Sequence, residues 1–160
     1  MTHAVLVGRA VRWLRNTMKC HAVLREFHCT ANEIPDAIGW RYARAIVVEC
    51  KTSVADYYAD RQKPAWRAGR LVGWKRYYLT TPRLIDPLAN TLPTGFGLLE
   101  YDGRIVHVRV QAQERSDADR HEEVRILLSV ARRVEKRVGD LQKFASEILL
   151  LPRASVSLDE

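Results

Sequence analysis

A chain of 160 residues, 47% hydrophobic and 28% charged, carries enough apolar material for one buried core without covalent staples. Cys20, Cys29 and Cys50 form an odd set with no CxxC spacing, which excludes a disulfide frame and a cysteine zinc site and points to reduced thiols in a cytoplasm. The net charge of +7 favours a polyanionic partner without requiring one, and no apolar run approaches the roughly 20 residues that span a bilayer.

In chain order, residues 4 to 19 have helical periodicity. Leu6, Ala10, Trp13, Leu14 and Met18 fall on one side, and Arg9, Arg12, Arg15 and Lys19 on the other. The basic side is either a solvated face or a strip that follows phosphates. Three strands are expected next, over 22–29, 34–40 and 44–51, the last two joined by a turn around Arg41 and Tyr42. Ser53 can cap a helix starting near Val54, with Asp56 in its first turn and Pro64 near its end or marking a kink. A strand at 77–80, a loop over 81–97 with one helical turn, and a hairpin around Asp102-Gly103 follow. In the hairpin's second arm Val106, Val108 and Val110 alternate with His107, Arg109 and Gln111, as in a half-buried strand. A long helix from Asp117 to about Val138, with Val124, Leu127, Leu128, Ala131 and Val134 on its apolar stripe, leads to a shorter one over 141–151. The expectation is one α+β domain over 1–151 and a flexible tail over 152–160.

The chemistry-bearing pattern is Ile34-Pro35-Asp36, then Glu49-Cys50-Lys51 at the end of the apolar run Ala45-Ile46-Val47-Val48. In a strand, residues i and i+2 share a face, so Glu49 and Lys51 lie together, and an antiparallel neighbour can set Asp36 beside Glu49. Two carboxylates and a backbone carbonyl, with Cys50 the natural donor, suit Mg²⁺ or Mn²⁺. Such an ion polarises a phosphoryl oxygen and supplies a nucleophilic water, while Lys51 steadies charge on the phosphate. The bland alternative is an exposed Glu49–Lys51 pair at a strand end, with Asp36 starting a turn.

The spacing resembles the PD-(D/E)xK nuclease superfamily. Within it, Val48-Glu49-Cys50-Lys51-Thr52-Ser53, then Asp56 to Asp60 and Lys63, is similar to the ExKxSxxDFxxDxK pattern of the MmcB-like DNA-repair endonucleases. Tyr77-Tyr78-Leu79, Leu92-Pro93 and Gly97-Leu98-Leu99 extend the likeness, which covers about residues 20 to 110. It implies a restriction-endonuclease-like core (α-β-β-β-α-β), here with an added β-hairpin and C-terminal helices. It also implies a metal-dependent nuclease acting on DNA in repair, recombination or phage DNA processing, in the cytoplasm of a bacterium or a phage-infected cell. Asp36, Glu49 and Lys51 would be catalytic, with Asp36, Glu49 and Cys50 holding the ion. Glu26 would be the auxiliary acid, with Glu33 its substitute, because the family's acid ahead of the Asp has no counterpart on the first helix. Arg9, Arg12, Arg15, Lys19 and Lys63 would engage DNA phosphates. The competing readings are a nuclease-fold module that binds DNA or protein without cutting, and a junction-resolving homodimer suggested by fold analogy.

Overall fold

The computed structural model describes residues 1–150, so the tail expected over 152–160 lies outside the described residues. The protein has an α+β fold: an N-terminal helix, a six-stranded mixed sheet and C-terminal helices.

Helix α1 (His3–Asn16) buries Leu6, Val7, Ala10, Trp13 and Leu14, the stripe expected from the periodicity with Val7 added. It stops short of the expected 19: Lys19 takes a left-handed φ of 55° and sits in the turn to the sheet, off the helix. Strands β1 (Ala22–Arg25), β2 (Ala37–Arg41) and β3 (Arg44–Cys50) form an antiparallel meander. β1 is shorter than the predicted 22–29 because Glu26 turns to φ 42°, which an extended strand cannot continue through. The β2–β3 turn, at Tyr42 and Ala43, uses positive φ at both residues, the hairpin geometry whose twist matches the strands.

Helix α2 (Val54–Asp60) starts as expected: the Ser53 hydroxyl accepts from the Asp56 N–H at 3.1 Å, and the Asp56 carboxylate accepts from the Thr52 N–H at 3.4 Å. Pro64 does not kink this helix. It opens a separate short helix, α3 (Pro64–Arg67), in the position where its missing N–H costs nothing. The chain returns through β4 (Lys75–Thr80), parallel to β3, then a 3₁₀ turn (Pro82–Leu84) and α4 (Ile85–Ala89) to β5 (Gly97–Tyr101), parallel to β4. β6 (Val106–Val110) closes the sheet antiparallel to β5. A register shift at Leu98/Leu99 spoils the expected half-buried alternation, and Val108 and Val110 are exposed.

The sheet separates two layers. α1 covers the face that carries Ile46, Val48 and Cys50 of β3, with Tyr77, Leu79, Leu99 and Tyr101 of the neighbouring strands. The opposite face carries Val47 and Tyr78 and is covered by the segments around α2, α3 and α4 and by Ile126 of α5 (Arg120–Val138). α5 departs from its predicted orientation: Val124, Leu127 and Leu128 are exposed, and the helix is anchored instead by Ile126 and by Glu122 and Glu123. Those two carboxylates accept the backbone N–H groups of Asn32 and Gly73 at 2.8 and 3.0 Å, so hydrogen bonds to loops, not the apolar stripe, set its rotation. α6 (Leu141–Leu150) follows α5 after the left-handed Gly139. Among the described residues no helix is long and apolar enough to cross a membrane.

Candidate active site

The β2–β3 register pairs Ala37 with Val48, so one further step sets Asp36 opposite Glu49. The Asp36 carboxylate accepts the Cys50 N–H at 2.7 Å, which fixes it against the end of β3. Pro35 explains why β2 begins only at Ala37: it has no N–H for a ladder, and Asp36 is left free to turn its side chain onto its neighbour. Two further residues meet it. His3, in the first turn of α1, lies with Nε2 3.2 Å from the Asp36 carboxylate and Nδ1 3.8 Å from Glu26. Glu26 reaches the cluster because its backbone N–H bonds the Asp36 carbonyl at 3.0 Å.

Glu49 and Lys51 share a face, as the strand period requires, with Lys51 Nζ 3.9 Å from Glu49. That face is not solvated: Glu49 is 2% exposed and Lys51 3%. The exposed strand-end pair is therefore not what forms. A line of alternating charges runs through this layer instead. Arg76, completely buried on β4, holds Glu33 through two hydrogen bonds of 3.0 and 2.5 Å and approaches Glu49 at 3.5 Å. Lys51 turns its ammonium to Asp60 at 3.2 Å, and Asp60 also holds Lys63 at 2.6 Å. The Tyr78 hydroxyl and the Trp66 indole N–H donate to the other Asp60 oxygen at 3.1 and 3.3 Å.

The two central carboxylates are pushed in opposite directions. Burial, then the nearby Asp36 charge, raises Glu49 well above the usual carboxylate range, against the pull of Arg76. Burial also works against charge on Asp60, but Lys51 and Lys63 overcome it and hold its carboxyl below the ordinary value. One Glu49 oxygen, Oε2, is buried with no hydrogen-bond partner. Leaving such an acceptor without a hydrogen bond costs on the order of 1–3 kcal/mol, and the Lys51 ammonium stands 3.9 Å from this oxygen, beyond hydrogen-bond reach.

Among the expected auxiliary acids, Glu26 stands beside Asp36, whereas Glu33 is committed to Arg76 and to the Val72 N–H at 2.9 Å. The Cys50 side chain is buried in the α1 layer, and its backbone, the expected source of a carbonyl donor, meets the site through the N–H that Asp36 accepts. Lys63 is drawn to the rim by Asp60 with its side chain half exposed. Arg9 and Arg12 lie along α1 away from the carboxylates, Arg15 is exposed in its last turn, and Lys19 has left the helix. Tyr77 and Tyr78 are core residues.

Asp60, Arg76 and His3 had no assigned role in the pattern. For Asp60 a signal existed: it follows Asp56 by one helical turn, so the helix that Ser53 caps had to present it on one side. Arg76 reads as the polar start of a strand, and only the parallel pairing of Val47 with Arg76 and Glu49 with Tyr78 puts it next to a carboxylate. Among the described residues no three His, Cys, Asp or Glu side chains gather closely enough to hold an ion alone.

No family model matches the chain, and no curated protein does. Among solved structures the chain is similar to the SPO1766 protein of unknown function from Silicibacter pomeroyi. The two share 22% identity over 84% of this chain and 90% of that one, with a TM-score of 0.60. The likeness is one of fold.

Proposed function

We propose that this protein is a divalent-metal-dependent nuclease of restriction-endonuclease-like fold that hydrolyses phosphodiester bonds in DNA. The observation that carries the reading is the meeting of Asp36 with the buried Glu49-Cys50-Lys51 end of β3, where one Glu49 oxygen lacks any hydrogen-bond partner. Asp36 and Glu49 offer hard oxygen donors of the kind Mg²⁺ or Mn²⁺ takes, and a site with few protein ligands suits an ion that retains several waters. When bound, the ion would supply Lewis-acid polarisation and a water of lowered pKa. The chain's own residues do the positioning. Asp60 steers the Lys51 ammonium, which would stabilise charge on the phosphate, and the Cys50 N–H orients the Asp36 carboxylate. The auxiliary acid in this reading is Glu26, held near Asp36 by His3. The order of elements, three antiparallel strands, a crossing helix and a parallel return strand, supports the superfamily assignment. DNA repair or recombination in a cytoplasm is the setting that assignment implies.

The test is a cleavage panel over single-stranded, duplex, flapped and branched DNA with Mg²⁺ or Mn²⁺. The wild type should cut at least one substrate, and Asp36→Asn should lose that activity by roughly a thousandfold, the rate cost of about 4 kcal/mol. Equal cutting by both proteins identifies a contaminant and ends the assignment. A second reading, a module that binds without cutting, is favoured by the closure of Glu49 and Lys51 inside a buried ionic layer. Binding without cleavage under either ion, across the whole panel, selects it.

A further inference from the structure

A groove farther along α1 lies apart from Asp36 and Glu49 and takes in two of the arginines that the sequence reading assigns to DNA phosphates. It encloses about 220 Å³ between the second half of α1 and the β5–β6 turn, and its walls carry Arg9, Arg12 and Arg104 with the polar Asn16 and Thr17. Among the described residues no carboxylate lines it. The Arg9 guanidinium is held 4.8 Å above the Tyr101 ring, so part of its side-chain freedom is already spent. The turn is built to project Arg104: Asp102 accepts the N–H groups of Arg104 and Ile105 at 2.7 and 2.9 Å, and thus points at its own backbone and not into the groove.

Among the described residues some arginines elsewhere are matched and others, such as Arg15 and Arg132, are not, so it is the shared acid-free groove that sets these three apart. Arg70, Arg109, Arg115 and Arg125 each hold a carboxylate at 2.7 to 3.4 Å. Among the described residues, Arg9, Arg12 and Arg104 have no carboxylate within 4.0 Å. Three guanidiniums converging without a counter-charge repel one another, and a concave wall of this kind fits an anion that can take several donors at once. Arg9 and Arg12 lie one helical turn apart, which suits a linear chain of anions better than a single one.

We infer that this groove binds backbone phosphates of DNA as a docking site separate from the cutting residues; its link to cleavage rests on the nuclease reading, but its affinity for phosphate does not. Along α1, Arg12 is about 14 Å from His3 at roughly 1.5 Å per residue, or about four base steps at 3.4 Å. The strand engaged in the groove is then displaced by a few nucleotides from the phosphate beside Asp36.

The experiment uses the full chain with EDTA present, so that binding is read without cleavage. A labelled DNA duplex is titrated at salt concentrations from about 50 to 200 mM against the wild type, Arg12→Gln, Arg104→Gln and, as a control at an exposed arginine already paired with Asp119, Arg70→Gln. The first two variants should each flatten the slope of log K against log salt by about 1 and weaken binding about eightfold near 0.1 M salt, while Arg70→Gln leaves both unchanged. Arg104 sits at a hairpin tip outside the core, so its variant decides the matter even if Arg12→Gln melts early. Unchanged slopes in both variants, an equal loss in Arg70→Gln, or no DNA binding by the wild type overturns the groove. So does preferential capture of the wild type by phosphatidylserine vesicles over DNA. Groove binding that persists in a protein that cuts nothing sinks the nuclease reading alone. Cleavage that persists with unchanged binding in both variants sinks the groove alone.

Discussion

Arg76→Ala should destabilise the protein by about 3–5 kcal/mol, the cost of removing one partner from a buried ionic cluster. For a chain of this size that corresponds to a fall in Tm on the order of 10 °C. The substitution strands two buried carboxylates, Glu33 and Glu49, and removes the 2.6 Å hydrogen bond to the Val72 carbonyl. Burial works against charge on Arg76, but Glu33 and Glu49 overcome it and raise its pKa further, so the guanidinium cannot relieve the cluster by losing its proton. The effect is one of uncompensated charge more than lost volume, which Arg76→Leu with Glu33→Gln separates. The Glu33→Gln change keeps an oxygen for the Val72 N–H while removing one of the stranded charges, and the double variant should recover more than half of the loss. Chemical denaturation reads both. A loss below about 1 kcal/mol in Arg76→Ala would mean the cluster is solvated and not a structural layer.

Glu49→Gln should uncouple stability from activity. Burial, then Asp36, raises the carboxyl of Glu49 in the folded protein, so the folded state binds its proton more tightly than the unfolded chain does. The sign follows: this group's favourable contribution is complete below the unfolded carboxylate pKa and is lost as pH rises through the raised folded value. The wild type should therefore weaken over that interval, and the Gln variant should lack this component of the decline and equal or exceed the wild type at about pH 8. On the proposed reading, the same change should lower cleavage by roughly a thousandfold, because it removes a metal ligand that only the ionised form supplies. Thermal melts from about pH 5 to 8, run beside the cleavage assay, check both halves. A variant less stable than the wild type at every pH would show that Glu49 is ionised and well paired in the fold.

Much of the frame could be read from residue order. The apolar run ending at Glu49 predicted a central strand, the alternation along it separated Cys50 from Glu49 and Lys51, and Ser53 with Asp56 marked a helix start that formed as expected. Asp36 beside Glu49 also followed, because a short β2–β3 turn leaves little choice of register. What stayed illegible depends on partners far apart in the chain. Arg76 meets Glu33 across 43 residues, and nothing local at Lys75-Arg76 distinguishes a buried guanidinium from a solvated strand end. The rotation of α5 is set by Glu122 and Glu123 capping loops 90 and 50 residues away, which overrides the apolar stripe that periodicity alone would bury. Lys19 and Glu26 were misplaced for a different reason: both take positive φ, and neither residue type announces it.

On the proposed reading Asp36 and Glu49 hold one divalent cation between them, which a Mn²⁺ titration of the full chain by calorimetry reads. The wild type should bind one ion per chain, and Asp36→Asn and Glu49→Gln should each weaken that binding by at least about tenfold, or about 1.4 kcal/mol. No binding by the wild type, or one affinity shared by all three proteins, would contradict it.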